Sequence, residues 1–207
     1  MDNAVSLVQA YLRLNGYFTV SEFPVIEAEP GGNYRTATDL DILAIRFPRT
    51  DALPTSAHDK HRSRSGGSPG LDPALGIPAD QPDMIIGEVK EGRAILNDAA
   101  TDPAVLQAVL VRFGCCAPAE AAELAHRIVK TGRAVLPVGH RVRLVAFGAL
   151  PGGGGPSHDT ILLGHALAYI QTYIAQHWEA LRHTDYKDPA FGFLMTLEKA
   201  RRGAPSD

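Results

Sequence analysis

The sequence contains little cysteine, no long hydrophobic run and no large excess of either charge. Its only cysteines are the adjacent Cys115 and Cys116, which excludes a scaffold held together by several disulfides. No apolar stretch approaches the roughly 18 residues of a membrane span, and the first residues lack the features of a secretory signal. We therefore expect a cytoplasmic protein with no membrane partner. The formal net charge of −3 excludes a histone-like polycation, although a local basic patch remains compatible with it.

Glycine and proline are present in excess, with 20 and 15 of the 207 residues. Apolar residues make up 45% and charged residues 21%, which is typical of a folded chain, and the length suits one domain. We predict a single domain over residues 1–207, with a flexible insertion over 48–82 where the sequence loses its periodicity. A glycine-rich connector over 151–158 then leads into C-terminal helices over 159–202.

Hydropathy patterns give an alternation of helices and strands. Apolar residues at helical spacing predict helices over residues 4–15, 103–113, 118–131, 159–183 and 189–202. Runs rich in β-branched and aromatic residues predict strands over 17–29, 38–47, 84–90 and 141–150. This order indicates an α/β fold in which a mixed central β-sheet is flanked by helices.

Two of the predicted strands carry acidic residues where a core strand would carry apolar ones. Asp41 directly precedes three apolar residues, and Glu88 and Lys90 lie two apart on an otherwise apolar strand, so they share a face. A carboxylate on a buried strand must be paired, protonated or bound to a metal. If the two strands are neighbours, Asp41, Glu88 and Lys90 converge on one spot.

Such a cluster suits the binding of a divalent cation. The carboxylates of Asp41 and Glu88 and the carbonyl of Val89 are hard oxygen ligands of the kind preferred by Mg²⁺ or Mn²⁺. The Lys90 ammonium could position or help deprotonate an attacking water and offset charge on a phosphate. The alternative interpretation is a plain cross-strand ion pair between Asp41 and Lys90 on a solvated face.

The pattern of Asp41 before apolar residues, followed by Glu88-Val89-Lys90 on the next strand, resembles the PD-(D/E)XK nuclease superfamily. This group includes type II and type IV restriction endonucleases and archaeal Holliday junction resolvases. The resemblance covers roughly residues 4–150. It implies a restriction-endonuclease-like core that hydrolyses DNA phosphodiesters with a divalent metal, with Asp41 and Glu88 as metal ligands and Lys90 as the catalytic lysine.

The sequence departs from the family pattern in the first helix, where many members carry an acid and this chain offers only Gln9. Gln9 could hydrogen-bond a water at the metal, or it is an ordinary surface residue. Asp39 could assist Asp41, or it simply faces solvent at the start of its strand. These departures bear on a second metal more than on the first.

The function expected from these observations is a Mg²⁺- or Mn²⁺-dependent endonuclease with DNA as its partner. A homodimer is expected if two symmetric sites cut both strands. The alternative from another class is a non-catalytic module that binds nucleic acid or protein with the same fold, because fold alone does not establish function. A more remote alternative is nucleotide binding by the glycines of the connector, which lack the Gly-Lys-Ser/Thr ending of a phosphate loop.

Overall fold

The computed structural model describes residues 2–28, 31–48, 71–152 and 158–203. The helices are α1 (Asn3–Leu14), α2 (Pro103–Arg112), α3 (Pro118–Thr131), α4 (Leu163–Gln176), α5 (Trp178–Leu181) and α6 (Pro189–Gly203). The strands are β1 (Phe18–Ala28), β2 (Tyr34–Arg46), β3 (Asp83–Arg93), β4 (Arg133–Val135), β5 (Arg141–Leu150) and β6 (Asp159–Leu162). Two 3-10 turns span Pro73–Leu75 and Ala99–Thr101.

The six strands form one open, mixed sheet whose main path is β1-β2-β3-β5-β4. The first three strands pair antiparallel, and β5 pairs parallel to β3 after the crossover through α2 and α3. The far edge of β5 is shared, since β4 pairs with its first residues and β6 with Val145–Gly148. The predicted α/β class, with a mixed sheet flanked by helices, is confirmed.

Each face of the sheet is covered by its own apolar cluster. One face packs against α1, α4 and α6 through the sheet residues Ile42, Ala44, Ile85, Val89, Val145 and Phe147. The other packs against α2 and α3 through the sheet residues Leu43, Met84, Ile86, Val142 and Leu144. Because side chains alternate along a strand, Glu88 and Lys90 follow Ile86 onto the α2–α3 side of β3. Burying these clusters, at about 25 cal/mol per Å² of apolar surface, is the main stabilising contribution.

The C-terminal region differs from its prediction, because a strand precedes its helices. Residues 159–162 pair with the edge of β5 as β6, and α4 begins only at Leu163. The apolar residues of β6 run directly into the apolar face of α4, so periodicity alone could not separate them. The short strand β4 was also missed. Its three residues gain a strand conformation from pairing with β5 rather than from a pattern of their own.

The predicted insertion over 48–82 also needs correction, because its last part is packed. Residues 49–70 lie outside the described part of the chain, but Leu75 is fully buried and Asp72 is 3% exposed. The Asp72 carboxylate accepts hydrogen bonds from the Tyr11 hydroxyl at 2.7 Å and contacts Nε2 of His165 at 2.6 Å. These long-range contacts attach the segment from residue 71 onward to α1 and α4. Of the predicted connector, residues 153–157 are likewise outside the described part.

The chain leaving β3 crosses directly over the end of β5. The amide of Ala94 donates to the Leu150 carbonyl at 2.8 Å. A Cβ atom on Gly148 would lie 2.4 Å from the Ala94 nitrogen, and one on Gly152 would lie 2.0 Å from the Ala94 carbonyl oxygen. Only glycine permits this close approach. The two glycines therefore permit the path of the loop that leads from β3 to α2.

No helix in the described ranges combines the length and the hydropathy that crossing a bilayer requires.

Candidate functional site

The site lies where the backbone pairing of β2 and β3 ends. The last pair in the direction of the site joins Ile42 to Gly87, so Asp41 stands opposite Glu88 one step further on. There the Asp41 side chain replaces a backbone acceptor, because its Oδ2 accepts a hydrogen bond from the Val89 amide at 2.8 Å. The half-buried Asp41 carboxylate is thereby held against the central strand of the sheet.

Glu88 occupies the centre of the site and is only 1% exposed. Its Oε1 accepts hydrogen bonds from the Lys90 ammonium, in a short contact, and from the Asn97 amide nitrogen at 2.8 Å. Its Oε2 is buried and has no hydrogen-bond partner in the described part of the chain. A buried carboxylate oxygen without a donor is costly, typically by about 1–3 kcal/mol. The two oxygens of one carboxylate therefore have very different surroundings.

The charges of the site act on each other. Burial, with the nearby Asp41 carboxylate, raises the pKa of Glu88 even though hydrogen bonds from Lys90 and Asn97 oppose the shift. Burial alone would lower the pKa of Lys90, but the hydrogen bond and charge of Glu88, together with Asp41, raise it. Lys90 is therefore a firmly protonated cation, and its side chain is 40% exposed. The site contains two interacting carboxylates and one ammonium that reaches the surface.

The oxygens around this position are of the kind that a divalent cation prefers. The candidates are the unpartnered Oε2 of Glu88, the Asp41 carboxylate and the backbone carbonyl of Val89. Over the described ranges, no group of three or more His, Cys, Asp or Glu side chains could hold a metal. A divalent cation here would therefore have two carboxylates as its side-chain ligands.

The structure brings together four of the predicted site residues. Asp41, Glu88 and Lys90 lie at one end of the β2–β3 pairing, around the backbone of Val89. Lys90 pairs with Glu88 and, within the described ranges, forms no ion pair with Asp41, which differs from the simple cross-strand pair considered above.

The predicted accessory residues lie outside this hydrogen-bonded group. Gln9 is 6% exposed on α1, which packs on the opposite face of the sheet, and Asp39 is exposed on β2. In the described ranges, neither is hydrogen-bonded to Asp41, Glu88 or Lys90, and their accessory roles stay predictions.

Comparison with known proteins adds no relative. A scan against protein-family models, a search of curated proteins and a search of solved structures each gave no match to this chain.

Sequence reasoning missed Asn97, which contacts Glu88 from the loop after β3. Its side-chain oxygen accepts the Ala100 amide at 2.6 Å, at the start of a 3-10 turn. The signal available in the sequence is an Asn-Asp pair before a helix, which indicates a cap or turn rather than a site. Asn97 lies close to Glu88 because the loop follows a path that Gly148 and Gly152 permit.

A second buried acid on β3, Asp83, was also missed. Asp83 is fully buried and accepts hydrogen bonds from Tyr17 at 2.5 Å, from Nε of Arg141 at 2.6 Å and from Nη2 of Arg143 at 3.0 Å. Arg143 also donates to Asp159 at 2.9 Å. Two arginines at alternate positions of a buried strand are a sequence signal that a carboxylate partner is required.

Two groups of basic residues, one in the 48–82 segment and one at the C-terminal end, are the candidates for a local basic patch that contacts phosphates. Lys60, Arg62 and Arg64 lie outside the described residues. At the C-terminal end, Arg201 and Arg202 both donate to Glu198, and the Arg202 guanidinium lies 4.4 Å from the centre of the Trp178 ring.

Proposed function

We propose that this chain is a metal-dependent endonuclease of the PD-(D/E)XK type, which hydrolyses DNA phosphodiester bonds at Asp41, Glu88 and Lys90. The observation that carries the proposal is the buried, unpartnered Oε2 of Glu88 beside the Asp41 carboxylate and the Lys90 ammonium. The order helix, three antiparallel strands, helices and a parallel strand supports a restriction-endonuclease-like core. DNA as substrate comes from the resemblance of the motif.

Each side chain has a distinct part in the proposed reaction. When bound, a divalent cation supplies Lewis-acid stabilisation of the charge that develops on the phosphate. Asp41 and Glu88 would hold that cation, with Asp41 fixed by the Val89 amide and Glu88 contributing Oε2. Lys90 is protonated, so it donates hydrogen bonds to a phosphate oxygen or an attacking water and offsets negative charge.

The test is cleavage of supercoiled, linear and branched DNA with Mg²⁺ or Mn²⁺, and with a chelator. We expect metal-dependent cleavage by the wild type and a loss of about 100-fold or more in Lys90→Ala. Lys130→Ala changes an exposed lysine on α3 and is the matched control, with unchanged activity expected. Equal activity of wild type and Lys90→Ala on every substrate would remove the catalytic role. DNA binding without cleavage by the wild type would instead support the non-catalytic module.

A further inference from the structure

We propose that Asn97 is a positioning residue for Glu88, holding Oε1 so that Oε2 remains the oxygen offered to a divalent cation. This inference rests on the proposed function and deepens it, because it adds a residue outside the Asp41, Glu88 and Lys90 motif. Its basis is that the two oxygens of the Glu88 carboxylate differ in the hydrogen bonds they accept.

The hydrogen bonds on Glu88 are one-sided. Both donors, the Lys90 ammonium and the Asn97 amide nitrogen, use Oε1, while Oε2 has no donor in the described ranges. A carboxylate oxygen has two lone pairs, so two donors fill Oε1. Lys90 alone, on a flexible four-carbon stem, could shift between the two oxygens. The second, shorter side chain of Asn97 restricts the carboxylate to one orientation.

The orientation of the Asn97 amide is itself determined by the backbone. Its Oδ1 accepts the Ala100 amide at 2.6 Å, and a backbone N–H cannot pair with the amide nitrogen of a flipped side chain. The nitrogen must therefore face Glu88. The loop that carries Asn97 is attached to β5 through the Ala94–Leu150 hydrogen bond and the close approach at Gly148. These backbone contacts with β5 therefore help to hold Asn97 in place beside the Glu88 carboxylate.

The two hydrogen bonds of Asn97 can be separated by substitution. Asn97→Ser keeps a side-chain oxygen that can accept the Ala100 amide, as serine does at helix starts, but it is too short to reach Glu88. Thr101→Val is the matched control, because Thr101 donates to the carbonyls of Asp98 at 3.0 Å and of Asn97 at 3.4 Å, so the change perturbs the backbone of the turn and leaves the Asn97 amide in place.

The measurement is calorimetric titration of metal-free protein with Mn²⁺, together with the midpoint of urea unfolding. We expect Asn97→Ser to weaken Mn²⁺ binding by about 10–100-fold, as for other groups that orient metal ligands, while it still unfolds in one cooperative transition at a midpoint lowered by the lost hydrogen bond to Glu88. Thr101→Val should bind Mn²⁺ like the wild type.

Wild-type affinity in Asn97→Ser would overturn the inference while leaving the metal site in place. Equal weakening in Asn97→Ser and Thr101→Val would also overturn it, because the fold of the turn, rather than the amide, would then control binding. If the wild type and Glu88→Gln both fail to bind Mn²⁺, the proposed function fails first, and the role of Asn97 with it.

Discussion

Strand β3 buries two carboxylates, Asp83 at its first residue and Glu88 at its middle, and their surroundings differ sharply. Asp83 is surrounded by donors, with Tyr17, Arg141 and Arg143 contributing to both of its oxygens. Glu88 has two donors on one oxygen and none on the other within the described residues. Burial of an acid is therefore not itself a sign of function. The two carboxylates are distinguished by Oε2 of Glu88, which has no donor within the described residues.

The pKa shifts follow the same division. Burial alone would raise the pKa of Asp83, but hydrogen bonds and charges from Arg141 and Arg143 lower it. In the middle of the same strand, burial and the Asp41 carboxylate raise the pKa of Glu88. A lowered carboxyl pKa marks a charge that the fold stabilises, and a raised one marks a charge that the fold tolerates at a cost. These directions agree with a structural role of Asp83 and with the metal-binding role proposed for Glu88.

The largest expected effect is on the stability of Asp83→Asn. The substitution removes the charge that compensates the fully buried Arg143, and breaking a buried ion pair in this way typically costs about 3–5 kcal/mol. Urea unfolding measures it, with Asp80→Asn on the exposed surface as the control. A loss below about 1 kcal/mol would contradict the structural role of Asp83.

A smaller loss of stability is expected for Gly148→Ala, which tests how the loop after β3 brings Asn97 to Glu88. The added methyl would lie 2.4 Å from the Ala94 nitrogen, so the loop toward Asn97 must move, at a cost of about 1–3 kcal/mol. Gly164→Ala on α4 is the control, because no atom lies within 4 Å of its Cβ position, and there alanine gains up to about 1 kcal/mol over glycine. Equal stability of both variants would show that the close approach does not constrain the loop.

In metal-free buffer, Asp83 and Glu88 should contribute with opposite signs to the pH dependence of the free energy of unfolding. The folded pKa of Asp83 lies below its ordinary value of about 3.9, so its contribution is present above that pH and disappears as pH falls through the folded value. The folded pKa of Glu88 lies above its ordinary value of about 4.3. Wild type should therefore lose stability relative to Glu88→Gln as pH rises through the folded value.

Unfolding curves of the wild type, Asp83→Asn and Glu88→Gln between about pH 3 and pH 7 check this comparison. The free energy of unfolding that Asp83→Asn loses relative to the wild type should become smaller toward pH 3. That of Glu88→Gln should rise relative to the wild type toward neutral pH. Parallel curves for the two variants would remove the distinction between the carboxylates.

Much of the site was predictable because it is local in the sequence. Glu88 and Lys90 share a strand, and Asp41 precedes a second apolar run, so period-two alternation and strand adjacency were enough to bring them together. The α/β order of elements also followed from periodicity, apart from the short strands β4 and β6, which depend on the edge of β5.

The compensation of Asp83 was not predictable in the same way. Its donors come from Tyr17 and from Arg141 and Arg143, which are distant in sequence and meet only when the sheet assembles. Asn97 depends on a loop path set by backbone contacts at Gly148. The alternate arginines of β5 indicate that a carboxylate is needed but not which one, and the Asn97 contact leaves no periodic pattern. The sequence therefore showed where acids lie on β3 but not which of them is satisfied.

The most direct test of the central claim is the free energy of unfolding of the wild type and Glu88→Gln, measured with and without Mn²⁺. Without metal, we expect Glu88→Gln to equal or exceed the wild type, because it removes a buried negative charge that the fold disfavours, as the raised pKa of Glu88 indicates. At Mn²⁺ about 100-fold above the dissociation constant, the wild type should gain about 2.7 kcal/mol and become the more stable protein, while Glu88→Gln should gain little. Equal gains in both proteins, or no gain in either, would contradict a metal site at Glu88.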